Sequence, residues 1–512
     1  MEKRTLIAVV LSAFFLLAWY ALFPPKPTVI VPIEQVQTQT ETKIDDNKAE
    51  MPSPVPLLGD IAVAANATGS DVTVETDLYK AVFSTKGAII KYWGLKKYHD
   101  DKGMPVVLLK TPGIISPLSI LFENSNRDLP QGLIYSSTGD RLVLSESGIK
   151  EGEITFSYEN QGVSITKRLI FHNDDYRVDI SIETANTPDY MVPVGSGFGI
   201  FDMESGMRTH AGSTLLIDAK LEKFTDKDSN KYLTGPIRWI AQEDKYFTAA
   251  IMPQTPIIGA NFWKEADKSE IGFKLASGKQ NLVLYAGPKE HDRLQKLNMG
   301  LEHIIDFGWF SIVAQPLFWA LKYLQKYVGN YGWTIIIMTI IIRIPFIPLL
   351  QKSQQSMKKM QKIQPMMAEI KEQFKKDPQR QQKEMMLLYK KHKVNPLGGC
   401  LPMLLQIPVF IALYNVLLQT IELRGAHFAL WITDLSAKDP YYVLPIVMGA
   451  SMVVQQKMTP TTADPMQAKI MMFLPVVFTV MFLNFPSGLV IYWFVNNLLA
   501  IGQQYFVNKQ PE

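Results

Sequence analysis

An arginine lies inside an apolar stretch of the chain. The run WTIIIMTIIIRIPFIPLL, residues 333–350, is apolar enough to cross a bilayer, and Arg343 stands within it. A cation in a bilayer costs about 2.5–3.5 kcal/mol on insertion scales, so it normally faces protein or water. Two interpretations stay open. Either the side chain reaches the cytoplasmic interface, where Lys352 is the first polar anchor, or it has a function inside the membrane.

Uncharged polar residues accompany this arginine. Thr339 precedes it by one helical turn, while Gln406, Asn415 and Asn496 lie on later apolar stretches. If these side chains meet at one depth, they form a hydrated cationic pocket that attracts a polar or acidic segment of another polypeptide. The alternative is that they only join helices by hydrogen bonds.

The sequence lacks the common motifs of enzymes. It contains no Walker loop, H-E-x-x-H, G-x-S-x-G or C-x-x-C, and no pair of carboxylates within the apolar stretches. We therefore predict no catalytic residues, no metal site and no cofactor. The absence of acidic residues from these stretches also argues against a proton or sodium relay.

The first half of the chain is polar and strand-like. Short alternating runs fill residues 57–306, and in YRVDISIET (176–184) apolar residues occupy every second position. This pattern is typical of half-buried strands. Many such runs predict a large extracytoplasmic domain built as an antiparallel β-sandwich.

The N-terminal residues predict an anchor for this domain. Lys3 and Arg4 precede a long apolar run, so residues 1–23 are interpreted as an uncleaved signal-anchor span with a cytoplasmic N-terminus. Residues 24–56 are rich in Pro, Thr, Gln and acids, which is typical of a flexible linker. The β-domain then lies on the far side of the membrane.

Residues 307–328 predict an amphipathic helix at the membrane interface. Four aromatic residues suit the headgroup region and two lysines should stay in water: Trp309, Phe310, Phe318, Trp319, Lys322 and Lys326. This helix would lead into a core over residues 329–509. Apolar stretches predict five core spans, at about 331–350, 397–419, 441–456, 470–485 and 487–507.

A basic segment, residues 351–396, separates the first two core spans. It holds twelve Lys/Arg and four Asp/Glu, and the spacing of Met360, Ile363, Met367 and Ile370 is that of a coiled-coil seam. Asp377–Pro378 predicts the start of a second helix. We therefore expect a cytoplasmic helical hairpin, and a polytopic α-helical membrane protein with six spans and both termini in the cytoplasm.

Several long motifs resemble the YidC membrane protein insertases, in their Gram-negative form with a large periplasmic domain. They are the arginine-bearing span, VNPLGGCLPMLLQIPVFIALY (394–414), ALWITDLSAKDPYY (429–442) and FPSGLVIYW (485–493). The resemblance implies a bacterial inner-membrane protein whose five-helix core encloses a hydrophilic groove open to the cytoplasm and the lipid. Polar flanks of nascent membrane proteins would pass through this groove, and their apolar segments would leave into lipid.

The resemblance also assigns roles to residues. The groove would be lined by Arg343, Thr339, Gln406, Tyr492 and Asn496, and the client would slide along Ile407, Pro408, Met471 and Phe478. The hairpin would contact the Sec translocon, the ribosome, the signal recognition particle receptor or anionic lipids through Lys358, Lys359, Lys362, Lys375 and Lys376. No small-molecule substrate is implied. The competing hypothesis is a small-solute transporter whose β-domain captures a ligand.

Overall fold

A computed structural model describes most of the chain after residue 68. The described residues are 69–100, 102–110, 115–122, 132–195, 198, 210–225, 228–265, 268–392, 401–458 and 465–509. The signal anchor predicted over 1–23 and the linker predicted over 24–56 lie outside them.

The strands occupy the first half of the described chain and, with the short helix α1 that follows, make up what is termed here the β-domain. In chain order they are β1 (Asp71–Glu75), β2 (Tyr79–Ser84), β3 (Ile89–His99), β4 (Pro105–Leu109), β5 (Leu121–Phe122), β6 (Ser136–Ser137), β7 (Arg141–Val143), β8 (Glu151–Asn160), β9 (Val163–His172), β10 (Arg177–Ala185), β11 (Tyr190–Pro193), β12 (Gly212–Ile217), β13 (Lys220–Lys223), β14 (Lys231–Leu233), β15 (Ile237–Glu243), β16 (Phe247–Pro253), β17 (Gly259–Glu265), β18 (Lys268–Leu275) and β19 (Lys279–Pro288).

Three sheets are formed by these strands. The longest has the order β13-β12-β15-β16-β19-β10-β9-β8-β6, and the other two have the orders β4-β3-β2-β1-β7 and β14-β17-β18-β11-β5. The alternation predicted for β10 is confirmed, because Val178, Ile180 and Ile182 are all buried. Their side chains share one face of the strand and pack into the core of the domain.

A buried lysine joins two parts of the β-domain. Lys167, on β9, is only 2% exposed. Its ammonium donates hydrogen bonds to the carbonyl oxygens of Gly87, Ala88 and Leu118 at 3.2, 3.1 and 2.7 Å. Burial lowers the pKa of Lys167 to about 7, because desolvation disfavours the charged amine.

The stability of the β-domain should therefore rise with pH. In the unfolded chain Lys167 keeps its proton up to pH ~10.4, while the folded domain releases it near pH 7. Between these values the unfolded state binds more protons, so the free energy of unfolding gains up to about 1.4 kcal/mol per pH unit. Pulsed hydrogen exchange of the full-length protein in urea measures unfolding of the β9–β10 region. We expect the urea concentration at which this region is half unfolded to be higher at pH 9 than at pH 7. Lys167→Met should remove this slope, and an equal slope in both proteins would contradict the assignment.

The helices follow the strands. They are α1 (His291–Lys296), α2 (Ser311–Val328), α3 (Tyr331–Arg343), α4 (Ile347–Gln373), α5 (Pro378–Lys391), α6 (Leu401–Gln419), α7 (Val443–Met458), α8 (Pro465–Phe482) and α9 (Ser487–Lys509). Single 3-10 turns lie at Leu301–Ile304, Gly308–Phe310, Ile344–Phe346 and Ile421–Leu423.

The first predicted core span and the first arm of the predicted hairpin lie on one helical stretch. Helices α3 and α4, joined by the turn Ile344–Phe346, form one continuous stretch of 43 residues, Tyr331–Gln373. At 1.5 Å per residue it is about 65 Å long, roughly twice the ~30 Å apolar core of a bilayer. The change in composition at 350/351, where the sequence predicts that the span gives way to the hairpin, therefore lies inside one helical stretch.

Other apolar helices differ modestly from the predicted spans. Helix α8 begins at Pro465, five residues before the predicted start, since proline suits the first turn of a helix. Within the described residues, Tyr331–Gln373 is the stretch long and apolar enough to cross a membrane, and Gln406–Gln419 and Met471–Phe482 are shorter apolar helices.

The hairpin seam is formed by α4 and α5. Ile363, Met367 and Leu388 are buried against each other, with Met360 and Ile370 packed beside them. The carboxylate of Asp377 accepts a hydrogen bond from the backbone N–H of Arg380, which caps α5 as its sequence predicts. Phe374 follows α4 as its C-terminal capping residue, and its ring lies under the Arg380 guanidinium.

Helix α2 contacts protein on the face predicted to meet lipid and water. Phe318 is 2% exposed, and Lys322 pairs with Asp292 at 2.6 Å and lies 3.8 Å from Glu422. Phe318 and Lys322 are one turn apart, so both face α1 and the segment after α6. The predictions of a headgroup position for Phe318 and a hydrated Lys322 were therefore wrong. The exposed face of α2 carries other apolar residues: Ile312, Trp319, Tyr323 and Tyr327.

The segment between α6 and α7 joins the β-domain to the helices. Ile421 packs into the core of the β-domain, while Leu423, two residues later, packs among the helices. The Arg424 guanidinium lies 5.5 Å from the Tyr246 ring and donates to the His99 carbonyl oxygen at 3.2 Å. One short turn thus connects the two hydrophobic cores.

Helices α7 and α8 approach closely at Gly449. A β-carbon there would lie 1.9 Å from the Thr479 hydroxyl oxygen, whereas one at Gly502 on α9 would meet nothing within 4 Å. We expect Gly449→Ala to lower the free energy of unfolding by about 1–3 kcal/mol, because the helices must separate. Gly502→Ala should instead raise it by about 0.5–1 kcal/mol through helix propensity. Thermal unfolding in detergent measures both, and equal melting of the two variants would contradict the close packing.

Candidate functional site

Arg343 is the last residue of α3 and points at α9. Its Nη1 donates to the carbonyl oxygen of Asn496 at 3.0 Å and to the side-chain oxygen of the same residue at 2.6 Å. Its Nη2 donates to the Gln503 side-chain oxygen at 3.3 Å. These partners are all uncharged, so within the part of the chain that the structure describes they hold the guanidinium in place without compensating its positive charge.

A cavity of about 40 Å³ adjoins the guanidinium, enough for about two or three water molecules. It is bounded by α3, the first turns of α4, α6 and α9. The lining residues are Thr339, Ile342, Arg343, Phe346, Leu349, Leu350, Gln406, Val409, Tyr492 and Asn496. The five groove residues proposed from the sequence are all among them. The cavity combines one cation with a few amides and hydroxyls inside apolar walls.

Gln406 and Tyr492 form another part of the cavity wall. The Tyr492 hydroxyl hydrogen-bonds the Gln406 side chain, and the Tyr492 side chain is 3% exposed. The Tyr492 ring also stacks on Phe410, with ring centroids 6.4 Å apart. This wall therefore fixes α6 against α9 as well as lining the cavity.

Thr339 is a small residue in the wall of the cavity. Its hydroxyl donates to the Ile335 carbonyl oxygen at 2.7 Å, one turn back along α3, and the residue is 2% exposed. A threonine bonded to its own helix adds no free donor to the cavity. Its place beside Arg343 was correctly anticipated from the one-turn spacing.

Asn415 lies outside the cavity, contrary to the sequence-based expectation. Its side-chain N–H donates to the Phe307 carbonyl oxygen at 2.8 Å, next to α2. Asn415 follows Gln406 by nine residues, and at 100° per residue nine positions amount to two and a half turns. The two side chains therefore project from opposite faces of α6, which the sequence spacing already implied.

Gln503 is a site residue that the sequence argument missed. It follows Asn496 by seven residues, so both lie on one face of α9, and both bond Arg343. The neighbouring face carries the matching pair Asn497 and Gln504. These two donate to the Ser451 hydroxyl at 3.2 Å and the Met458 carbonyl oxygen at 2.8 Å. One stripe of α9 thus holds the arginine, and the adjacent stripe holds α7.

The proposed sliding surface is only partly exposed. Ile407 is 45% exposed, while Pro408, Met471 and Phe478 are half-buried. The Phe478 ring packs on Trp493 of α9, with centroids 5.9 Å apart. The outward face of α8 carries a different set of residues: Met472, Phe473, Val476 and Val480. Phe473, Val476 and Val480 are three or four positions apart in the α8 sequence, which is the spacing of residues on one face of a helix.

The hairpin lysines form a basic surface on α4 and the turn after it. Lys359, Lys362, Lys375 and Lys376 are exposed, and Lys358 is half-buried. They surround the apolar seam of the hairpin, which is the arrangement expected for a charged exterior.

Two family models match nearly all of the described chain. The model described as YidC periplasmic domain matches residues 71–320, and the 60Kd inner membrane protein model matches residues 323–512. The boundary between them falls within α2.

Relatives match over full length. A protein of Syntrophus aciditrophicus (strain SB), named membrane protein insertase YidC, is 40% identical over 550 residues and covers 100% of both chains. One of the same name from Geotalea uraniireducens (strain Rf4) is 42% identical over 540 residues, covering 99% of each. A solved structure titled as an active YidC insertase with its first transmembrane domain resolved is 20% identical. It covers 86% of this chain and 95% of its own, with a TM-score of 0.41.

Proposed function

Since this chain belongs to the YidC family of membrane protein insertases, we propose that its cavity at Arg343 is where the polar flank of a nascent membrane protein enters. The chain is an inner-membrane insertase with a periplasmic domain. Thr339, Gln406, Tyr492 and Asn496 form the remaining polar wall of the entry site. The small-solute transporter, the competing hypothesis from the sequence, has no support among the relatives.

One observation carries this proposal: among the described residues, the Arg343 guanidinium is held by neutral partners only. Asn496 and Gln503 position the guanidinium without cancelling its charge. In a medium of low dielectric constant, an uncompensated cation attracts an acidic group more strongly than it would in water. The site therefore favours clients whose flanking residues are polar or acidic.

The apolar segment of the client would then leave along α6 and α8. Ile407 on α6 and the outward stripe of α8 present apolar side chains where the client meets lipid. Transfer of its apolar surface from water into lipid drives the step, so neither a covalent intermediate nor a cofactor is needed. Helix α7 has 16 residues and is about 24 Å long, which would thin the bilayer locally.

The proposal extends to topology. We place six spans in the membrane, the predicted signal anchor and five in the core, with both termini in the cytoplasm. The basic hairpin on the cytoplasmic side agrees with the positive-inside rule. In the periplasm, the strand-rich domain would form an antiparallel β-sandwich, for which its large sheets provide support.

The basic hairpin is the proposed contact for cytoplasmic partners. Its exposed lysines suit the phosphates of ribosomal RNA and of anionic lipids, or acidic surfaces of the Sec translocon and the signal recognition particle receptor. Replacing Lys359, Lys362, Lys375 and Lys376 by glutamine tests the contact. Loss of ribosome or lipid binding in flotation assays, with insertion of short clients preserved, would support it.

Reconstitution tests the proposed function. Proteoliposomes that contain only this protein should insert a small single-span protein with an acidic flank, measured as a protease-protected fragment. The same vesicles should not accumulate small solutes. Solute uptake without insertion would favour the transporter and contradict the proposal.

A further inference from the structure

A second cavity, of about 830 Å³, lies where the β-domain meets α6 and the start of α9. Its volume falls within the ~300–1,000 Å³ typical of small-molecule sites. It is separate from the cavity at Arg343, since the residues that line the two cavities do not overlap. The insertase function described above makes no use of it.

The two sides of this cavity differ in chemistry. The helix side is mainly apolar and aromatic, with Ile411, Tyr414 and Leu418 of α6 and with Phe485, and it also includes the amide side chains of Asn415 and Gln419. The β-domain side is charged. It carries three basic residues, Lys223, Lys245 and Lys289, and three acidic residues, Glu243, Asp244 and Asp306.

The charges on the β-domain side cancel in sum. Burial lowers the pKa of the His210 imidazole, so this residue adds no charge at pH 7. Lys289 and Glu243 are 7% and 2% exposed and pair with each other behind the surface. Lys223 and Asp306 pair at 2.9 Å but are 30% and 41% exposed, so both signs of charge are accessible to a ligand.

The position of the cavity is that of the outer membrane interface. It lies between the periplasmic domain and the ends of apolar helices, and Trp309 at its edge is 91% exposed. Exposed tryptophan is typical of the headgroup level of a bilayer, where an apolar body and a polar tip are both accommodated.

We infer that this cavity binds a zwitterionic phospholipid of the periplasmic leaflet. Its phosphate lies toward Lys223 and Lys245, its ammonium toward Asp306, and its acyl chain along Ile411 and Tyr414. A balanced pair of charges above an apolar floor matches a headgroup of zero net charge better than an anionic one.

Native mass spectrometry of the full chain, released from micelles titrated with phosphatidylethanolamine or phosphatidylglycerol, tests this inference. Ile411→Trp fills the apolar floor, and Lys223→Gln removes the contact to phosphate. Each should weaken retention of one phosphatidylethanolamine by about tenfold, the order expected for a lost charge-assisted hydrogen bond or acyl contact. Lys220→Gln, on the same strand but outside the cavity, should bind like the unaltered protein.

Weaker lipid binding by a variant must be distinguished from unfolding of the β-domain. Because Lys223→Gln breaks the pair with Asp306, its thermal midpoint is measured first, and Lys245→Gln replaces it if the β-domain unfolds. Equal phosphatidylethanolamine retention by Ile411→Trp and the unaltered protein would overturn the inference. Tighter retention of phosphatidylglycerol than of phosphatidylethanolamine would overturn the assignment to a zwitterionic headgroup.

Discussion

Replacing Arg343 by methionine should reduce insertion of a single-span client with an acidic flank by about tenfold or more, since a lost charge-assisted contact costs ~1.5–3 kcal/mol. Methionine has similar length and flexibility, so packing changes little. Arg343→Lys should give an intermediate loss, because an ammonium keeps the charge but cannot span Asn496 and Gln503 as the planar guanidinium does. Protease protection in proteoliposomes measures each effect.

Two controls distinguish the effect of the Arg343 charge in the cavity from the effect of removing a positive charge elsewhere on the protein. Lys352→Met removes an exposed cation nine residues further along the same helical stretch, and it should leave insertion unchanged. A client with an uncharged flank should be nearly indifferent to Arg343→Met. If neither Arg343→Ala nor Arg343→Lys affects any client with a charged flank, the proposed role of the arginine is wrong.

The largest loss of stability is expected at Asp439, in the segment between α6 and α7. This residue is fully buried, and its Oδ1 accepts hydrogen bonds from the Trp431 indole N–H and the Tyr441 backbone N–H, both at 3.0 Å. Its Oδ2 accepts from the Leu444 backbone N–H at 2.7 Å, in the first turn of α7. The helix dipole further favours a carboxylate at that position.

Asp439→Ala should lower the free energy of unfolding by about 3–5 kcal/mol, because three donors lose their acceptor. Asp439→Asn retains one acceptor oxygen and should lose less. Thermal unfolding in detergent measures both. Asp434→Ala is the matched control, since Asp434 is half-buried and accepts one bond, from the Ser436 backbone N–H at 2.7 Å. Equal melting of the two alanine variants would refute the role of Asp439.

Loss of the Asp439 hydrogen bonds would also affect the start of α9. The same segment is bonded to the start of α9, through the Ser487 N–H to the Ala437 carbonyl oxygen at 2.8 Å and the Gly488 N–H to the Leu435 carbonyl oxygen at 2.9 Å. Asp439 therefore fixes a link between α7 and α9. We expect slower insertion in Asp439→Ala even below its melting temperature, because α9 contributes Tyr492 and Asn496 to the cavity wall.

Local sequence patterns predicted the parts of the fold that local forces determine. The seam residues Ile363 and Met367 follow a coiled-coil spacing, and the Asp377 cap sits beside a proline, so both could be recognised within one or two turns of helix. The alternation in β10 likewise needs only its own residues. Arg343 was singled out because a charge inside an apolar run is costly.

Tertiary partners could not be predicted in this way. Nothing near Lys322 in sequence indicates that it would pair with Asp292, which comes from α1. The same holds for Lys167, whose three carbonyl partners lie 49 to 80 residues away. Gln503 was within reach of sequence reasoning, because it lies two turns after Asn496 on the same helix. Its importance rests on the position of Arg343 on a different helix.

Photo-crosslinking to a stalled nascent chain tests the central claim most directly. A photoreactive amino acid at Gln406 or Tyr492 reports on the cavity beside Arg343, while one at Val476 reports on the outward face of α8. We predict that a chain stalled with its polar flank at the membrane crosslinks to Gln406 and Tyr492, and that a longer chain crosslinks to Val476 through its apolar segment. Crosslinks at Val476 alone, at every chain length, would contradict entry through the cavity.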